Sequence, residues 1–171
     1  ADTYHQAWLT VMRAKCGLSN AAAASKPDSD KALIESLFNV MAANNADFTL
    51  VFFHLSQLNL QASEKDDDIR RLFVDPAQFD DWLVKWRERA SEEMLTDKQR
   101  QASMQSVNPV YIPRNHQIEA AIRAAEDQGD FSVFHALHEV LQHPFTRQQG
   151  KDRYMQPPEP DEVVRQTFCG T

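Results

Sequence analysis

Four groups of residues have types and spacing that could do chemistry. His135-Ala-Leu-His138-Glu139 sets two imidazoles three residues apart on one helix face, with His143 just beyond. Such a grouping suits a metal such as zinc. The zinc-protease pattern, however, needs His at i and i+4 with Glu directly after the first. This order and spacing fail it, so the expectation is a partly exposed polar face and no metal. Asp66-Asp67-Asp68 gathers three carboxylates. Adjacent helical residues point in different directions and no glycine-turned calcium loop surrounds them. They read instead as the acidic first turn of a helix. Trp82 and Trp86 share one helix face and could stack on a base or a sugar, but aromatic residues at that spacing favour core anchors. Cys169 stands two residues from the C-terminus, where a thiol could form a disulfide or be reversibly oxidised. Position alone leaves that open against an incidental terminal cysteine. Cys16, beside an apolar stripe, reads as a small buried hydrophobe.

No nucleophile elbow, phosphate-binding glycine loop or dinucleotide fingerprint occurs, and no catalytic residue is assigned. Arg114 could grip a phosphate with its planar fork of donors. With no glycine-rich loop nearby, a structural clamp is the favoured role.

The elements that must carry these groups are helices. Asn108-Pro109 is a turn dipeptide, since the proline ring pushes Asn108 away from helical angles. Pro113 can start a helix, Arg114 and Asn115 fall at its first turn, and Ile118, Ala121, Ile122 and Ala125 recur along one narrow face. Gly129 ends it. Asp130 caps a further helix whose Phe131, Phe134, Leu137, Val140 and Leu141 are expected to face inward, and Pro144 closes it. Upstream, helices are expected over about 3–16, from a cap at Asp28 or Ser29 to about 44, from Asp47 onward, over 64–74, from Asp75-Pro76, and from the capping box Thr96-Asp97-Lys98-Gln99 to about 106. The segment after Asp47 is apolar all round, which marks a buried central helix. In the helix after Pro76, Phe79, Trp82, Leu83 and Trp86 are expected inside, with Arg87, Arg89, Glu92 and Glu93 outside. Residues 18–27 read as a loop and 148–160 as irregular.

Composition agrees. The chain has 171 residues, enough for one domain with a core, 42% of them hydrophobic and only 4 of them glycine. Only 23 positions are β-branched. The expected fold is all-α: an irregular domain of about six to eight helices over 1–145, with a proline-containing tail over 146–171. A net charge of −7 argues against nucleic acid and anionic membranes as partners. The chain starts directly inside a helical pattern, which looks like a cut from a longer polypeptide.

The Asn108-Pro109-x-Tyr111-Ile112-Pro113-Arg114-Asn115-His116 element, followed by Ala120-Ala121-Ile122, Gly129-Asp130, Pro144-Phe145, Tyr154, Pro157 and the terminal Thr167-Phe168-Cys169-Gly170-Thr171, resembles the C-terminal region of the selenoprotein O family. Trp8, Met12, Lys15, Gly17 and Leu18 fit it too, as does Ala46-Asp47-Phe48-Thr49. The resemblance implies a kinase-like parent protein that transfers AMP from ATP to protein hydroxyls. It implies ATP and magnesium sites in an upstream kinase-like domain of the same polypeptide, protein substrates as partners, and a cytoplasmic location. It carries over one functional residue, Cys169, where some members have selenocysteine and which the family associates with redox control. The partner of Cys169 would then lie upstream, not at Cys16. On this reading the 171 residues hold no cofactor and are inactive alone. Two alternatives are a stand-alone helical protein-interaction module and a metal-dependent enzyme built on His135 and His138.

Overall fold

The computed structural model describes residues 2–18 and 27–164. Among these the protein is all-α, with eight helices and no strand. The chain divides into two compact units, Ala1–Asn108 and Pro109–Thr171, parting at the Asn108-Pro109 dipeptide.

The first unit holds α1 (Asp2–Lys15), α2 (Pro27–Asn44), α3 (Phe48–Leu55), α4 (Lys65–Arg70), α5 (Ala77–Ser91) and α6 (Asp97–Gln105). Pro27 occupies the first position of α2, so the helix begins ahead of the expected caps and Asp28 falls within its first turn. Asp47 caps α3 by accepting the Leu50 amide at 2.8 Å. Thr96 and Gln99 make the expected capping box on α6. The core is built on the stripes of α2, α3 and α5: Ile34, Leu37, Val51, Phe52, Leu55, Phe79, Trp82 and Trp86 are all buried. α3 is buried on nearly every side, as its all-round apolarity requires. An aromatic stack runs through this core from Phe73 to Phe79 (4.5 Å between centroids), Trp82 (5.8 Å) and Trp86 (6.2 Å). Both Trp of the stack are anchors: their indole N–H groups donate to the Leu33 and Cys16 carbonyls.

The second unit holds α7 (Asn115–Gln128) and α8 (Ser132–Leu141), antiparallel and joined through Gly129, with a short three-ten turn at Asp152–Tyr154. Gly129 takes the left-handed conformation (φ 63°) and closes α7. Pro113 does not begin α7. Arg114 remains extended (ψ 136°) at the capping position, so the helix starts two residues later than the proline suggests. Upstream of α7 the Val110 and Tyr111 amides both donate to the Pro144 carbonyl, at 2.7 and 3.1 Å. The Tyr111 hydroxyl accepts from the Gln148 amide at 2.9 Å. The segment that follows α8 is thereby tied back to the segment that precedes α7.

Candidate functional site

The most elaborate polar construction lies in the first unit, around the end of α1. A helix end leaves its last carbonyls without intrahelical partners. Here the Cys16, Gly17 and Leu18 amides fold back onto the Met12, Arg13 and Ala14 carbonyls, and three side-chain donors take carbonyls at the end of the helix and just beyond it. The Asn108 side-chain amide donates to the Lys15 carbonyl (2.9 Å), the Trp86 indole to the Cys16 carbonyl (2.9 Å), and the Arg13 guanidinium to the Leu18 carbonyl (3.1 Å). Lys15 returns the contact, its Nζ donating to Asn108 Oδ1 (3.2 Å) and to the Val107 carbonyl (3.0 Å). Burial holds the Lys15 pKa below its ordinary value. Gly17 turns the chain at φ +70°, and a Cβ there would lie 2.8 Å from Met104 Sδ and 2.9 Å from Arg100 Cγ. Only glycine fits both the angle and the space. Lys15, Gly17, Leu18 and Asn108, read from two distant stretches of sequence, therefore meet at one junction.

Beneath it runs a buried ionic network. Asp30 on α2 is fully buried and is held by two guanidinium groups: Arg13 Nε at 2.9 Å and Arg89 Nε at 2.7 Å. Arg89 also reaches Glu93 at 2.9 Å. Burial disfavours the Arg89 charge, but its hydrogen bonds to Asp30 and Glu93 outweigh that and raise its pKa. The expectation that Arg87, Arg89 and Glu93 lie outside fails here. Arg89 and Glu93 are buried, and Arg87 is largely covered where it grips both oxygens of Asp66 at 2.8 Å. Of that group Glu92 does remain exposed. The signal was in the spacing: Trp82, Trp86 and Arg89 step by four and three along one face of α5, and Glu93, just past its end, continues the step by four. Arg100, fully buried beside the Trp86 ring at 5.5 Å and bonded to the Leu58 carbonyl at 2.9 Å, carried no such signal.

The sequence candidates for chemistry are dispersed. Asp66, Asp67 and Asp68 each pair with a different arginine, Arg87, Arg70 and Arg71 respectively. His138 stacks on Phe134 (5.9 Å) and neighbours Gln142. Among the described residues no group of three or more His, Cys, Asp or Glu is gathered as a metal site would need. Cys16 is buried, and burial, only partly opposed by Lys15, pushes its thiol up to about 12. Arg114 is buried at the head of α7, where Asn115 begins the helix. Cys169 lies outside the described residues. Among the described residues no helix is long and apolar enough to cross a membrane.

Phe131 and Phe134 correct a further expectation. They do not face inward but are 59% and 49% exposed, and they border an apolar groove of about 420 Å³ between α7 and α8.

Together these features define a helical, architecturally braced segment whose buried charges hold helices together. The family comparison places it. The model for the protein adenylyltransferase SelO matches residues 1–142, and the chain belongs to that family. It is 46% identical over 171 residues to the protein nucleotidyltransferase YdiU of Rhodopseudomonas palustris (strain BisB5), covering 100% of this chain and 34% of that protein. It is 44% identical to the protein of the same name in Agrobacterium fabrum, with the same coverage. The match to that of Bradyrhizobium diazoefficiens is 42% over 170 residues, covering 99% of this chain and 33% of that protein. The chain thus spans about a third of the length of these relatives.

Proposed function

We propose that these 171 residues are the C-terminal helical part of a protein adenylyltransferase, which braces a kinase-like catalytic part and carries Cys169 as a redox-active thiol. In the reaction a substrate hydroxyl attacks the α-phosphorus of ATP. The bond to the β-phosphate breaks, AMP is transferred to the oxygen, and pyrophosphate leaves. ATP and magnesium belong to the catalytic part, outside these residues. The observation that carries the reading is one of coverage: a relative named as a nucleotidyltransferase matches this chain along all of its length, yet is about three times as long. The four glycines, at 17, 129, 150 and 170, leave no place for a glycine-rich phosphate loop, which supports locating the nucleotide elsewhere.

Two measurements test it. Mg·ATP titrated into the 171-residue chain should give no binding heat, and micromolar binding would refute the division of labour. The full-length protein should transfer labelled AMP from ATP to protein. Its dependence on thiol reductant should vanish in Cys169→Ser, and an unchanged dependence would remove the redox role.

A further inference from the structure

Among the described residues, α7 and α8 form a hairpin whose seam is open along one side. Ile118, Ala121, Ile122 and Ala125 line it from α7, with Phe134 and Leu141 from α8. The described lining contains no Asp, Glu, Lys or Arg, and His138 supplies its one ionisable side chain. Ile122 is 44% exposed, with Phe134 and Phe131 more so. Large apolar groups gathered in this way mark an interaction site more than a finished surface. Two helices cannot bury the seam between them, whereas a third laid along it completes a three-helix arrangement. Ala121 and Ala125, one turn apart, keep the floor of the seam low enough for an incoming helix to approach closely.

The relatives' length indicates the occupant. Two-thirds of their polypeptide has no counterpart in these 171 residues. In a polypeptide of their length that remainder would be tethered to the groove, at an effective concentration far above that of any free partner. We propose that the α7–α8 groove receives an amphipathic helix from the part of the same polypeptide that lies outside these residues, presenting apolar side chains at i, i+3 or i+4, and i+7. The proposal rests on one part of the functional reading, that these helices pack on the rest of a longer polypeptide, and not on the adenylyl transfer.

The test uses the full-length protein with Ile122→p-benzoylphenylalanine, irradiated and mapped by mass spectrometry. The expected product joins position 122 to a peptide of the same molecule outside the 171 residues, with apolar residues spaced three and four apart. Cross-links to residues 1–108, to 165–171 or to a second copy, or none at all, overturn the proposal. A second variant guards against a passive probe. With the photo-reactive group moved to Phe134, adding Ile122→Glu should cut the cross-link yield at least about tenfold, because a carboxylate is poorly tolerated in an apolar seam. An undiminished yield counts against the groove. AMP transfer assayed on the same preparations separates the two readings. A protein that cross-links as expected but transfers no AMP sinks the function and leaves the docking.

Discussion

Replacing Asp30 with asparagine tests the buried network most directly. The substitution keeps the size of the side chain, so no cavity confuses the result. It removes the carboxylate that Arg13 and Arg89 share and turns an amide N–H₂ toward one of them. Breaking a buried ion pair from one side costs about 3–5 kcal/mol. The lower end applies here, because Arg89 keeps Glu93 at 2.9 Å and Arg13 is 16% exposed and can draw on water. A loss of about 3 kcal/mol in a unit of this size lowers its midpoint by roughly 10–20 °C. The assay is clean because all three tryptophans, Trp8, Trp82 and Trp86, lie in the first unit, so indole fluorescence during urea unfolding follows that unit alone. Glu35→Gln on the same helix is the control. Its pairing with Lys31 is 3.8 Å long with both side chains about half exposed, and its loss should stay within about 0.5 kcal/mol. Arg89→Met should cost more than Asp30→Asn, since it withdraws one guanidinium from two buried carboxylates. A loss below about 1 kcal/mol for Asp30→Asn, or the reverse ranking, would show that the network is hydrated and contributes little.

Three other outcomes follow from the first unit. Cys16 should resist iodoacetamide at pH 8 in the folded protein and react once the unit is unfolded, read by mass spectrometry of its peptide. Because its folded pKa is raised from 9.0 to about 12, the stability tied to the neutral thiol is complete below pH 9 and drains between 9 and 12; Cys16→Ala should flatten that part of the stability profile. Gly17→Ala forces a Cβ against Met104 and Arg100 at a left-handed angle, with an expected loss of about 1–3 kcal/mol by urea unfolding. Thr96→Ala removes the capping box of α6 and should cost about 1 kcal/mol on the same assay.

What could be read from the sequence was whatever follows from local rules. Asp47 and Thr96 cap where their types and positions require, Gly129 turns left-handed, and the stripe of α5 places Trp82 and Trp86 inside. Apolar periodicity says which face is covered but not by what. It put Phe131 and Phe134 inside because it assumed a neighbour for that side of α8, and among the described residues the seam stays open. The rule that charge seeks water put Arg89 and Glu93 outside, against their spacing on the Trp82 face. Their burial depends on Asp30, 59 residues from Arg89, a partner that no local pattern announces. The family resemblance rested on Lys15, Gly17 and Asn108 without giving a reason for them. Their meeting at the end of α1 supplies one.

That reason can be tested by asking which half of the Asn108 amide matters. Its N–H₂ donates to the Lys15 carbonyl at 2.9 Å while its oxygen accepts from Lys15 Nζ at 3.2 Å, and the residue is 2% exposed. Lys15 Nζ has a second acceptor in the Val107 carbonyl, whereas Asn108 is the side chain that meets the Lys15 carbonyl. Asn108→Asp keeps the shape and the acceptor, adds a charge opposite Lys15, and replaces the donor with an oxygen facing an oxygen. If satisfying the helix end is what the residue does, Asp and Ala should both cost about 1–3 kcal/mol by tryptophan-detected unfolding, despite the new ion pair. If attraction to Lys15 is what counts, Asp should match the wild type or exceed it, and the capping account of this junction would fall.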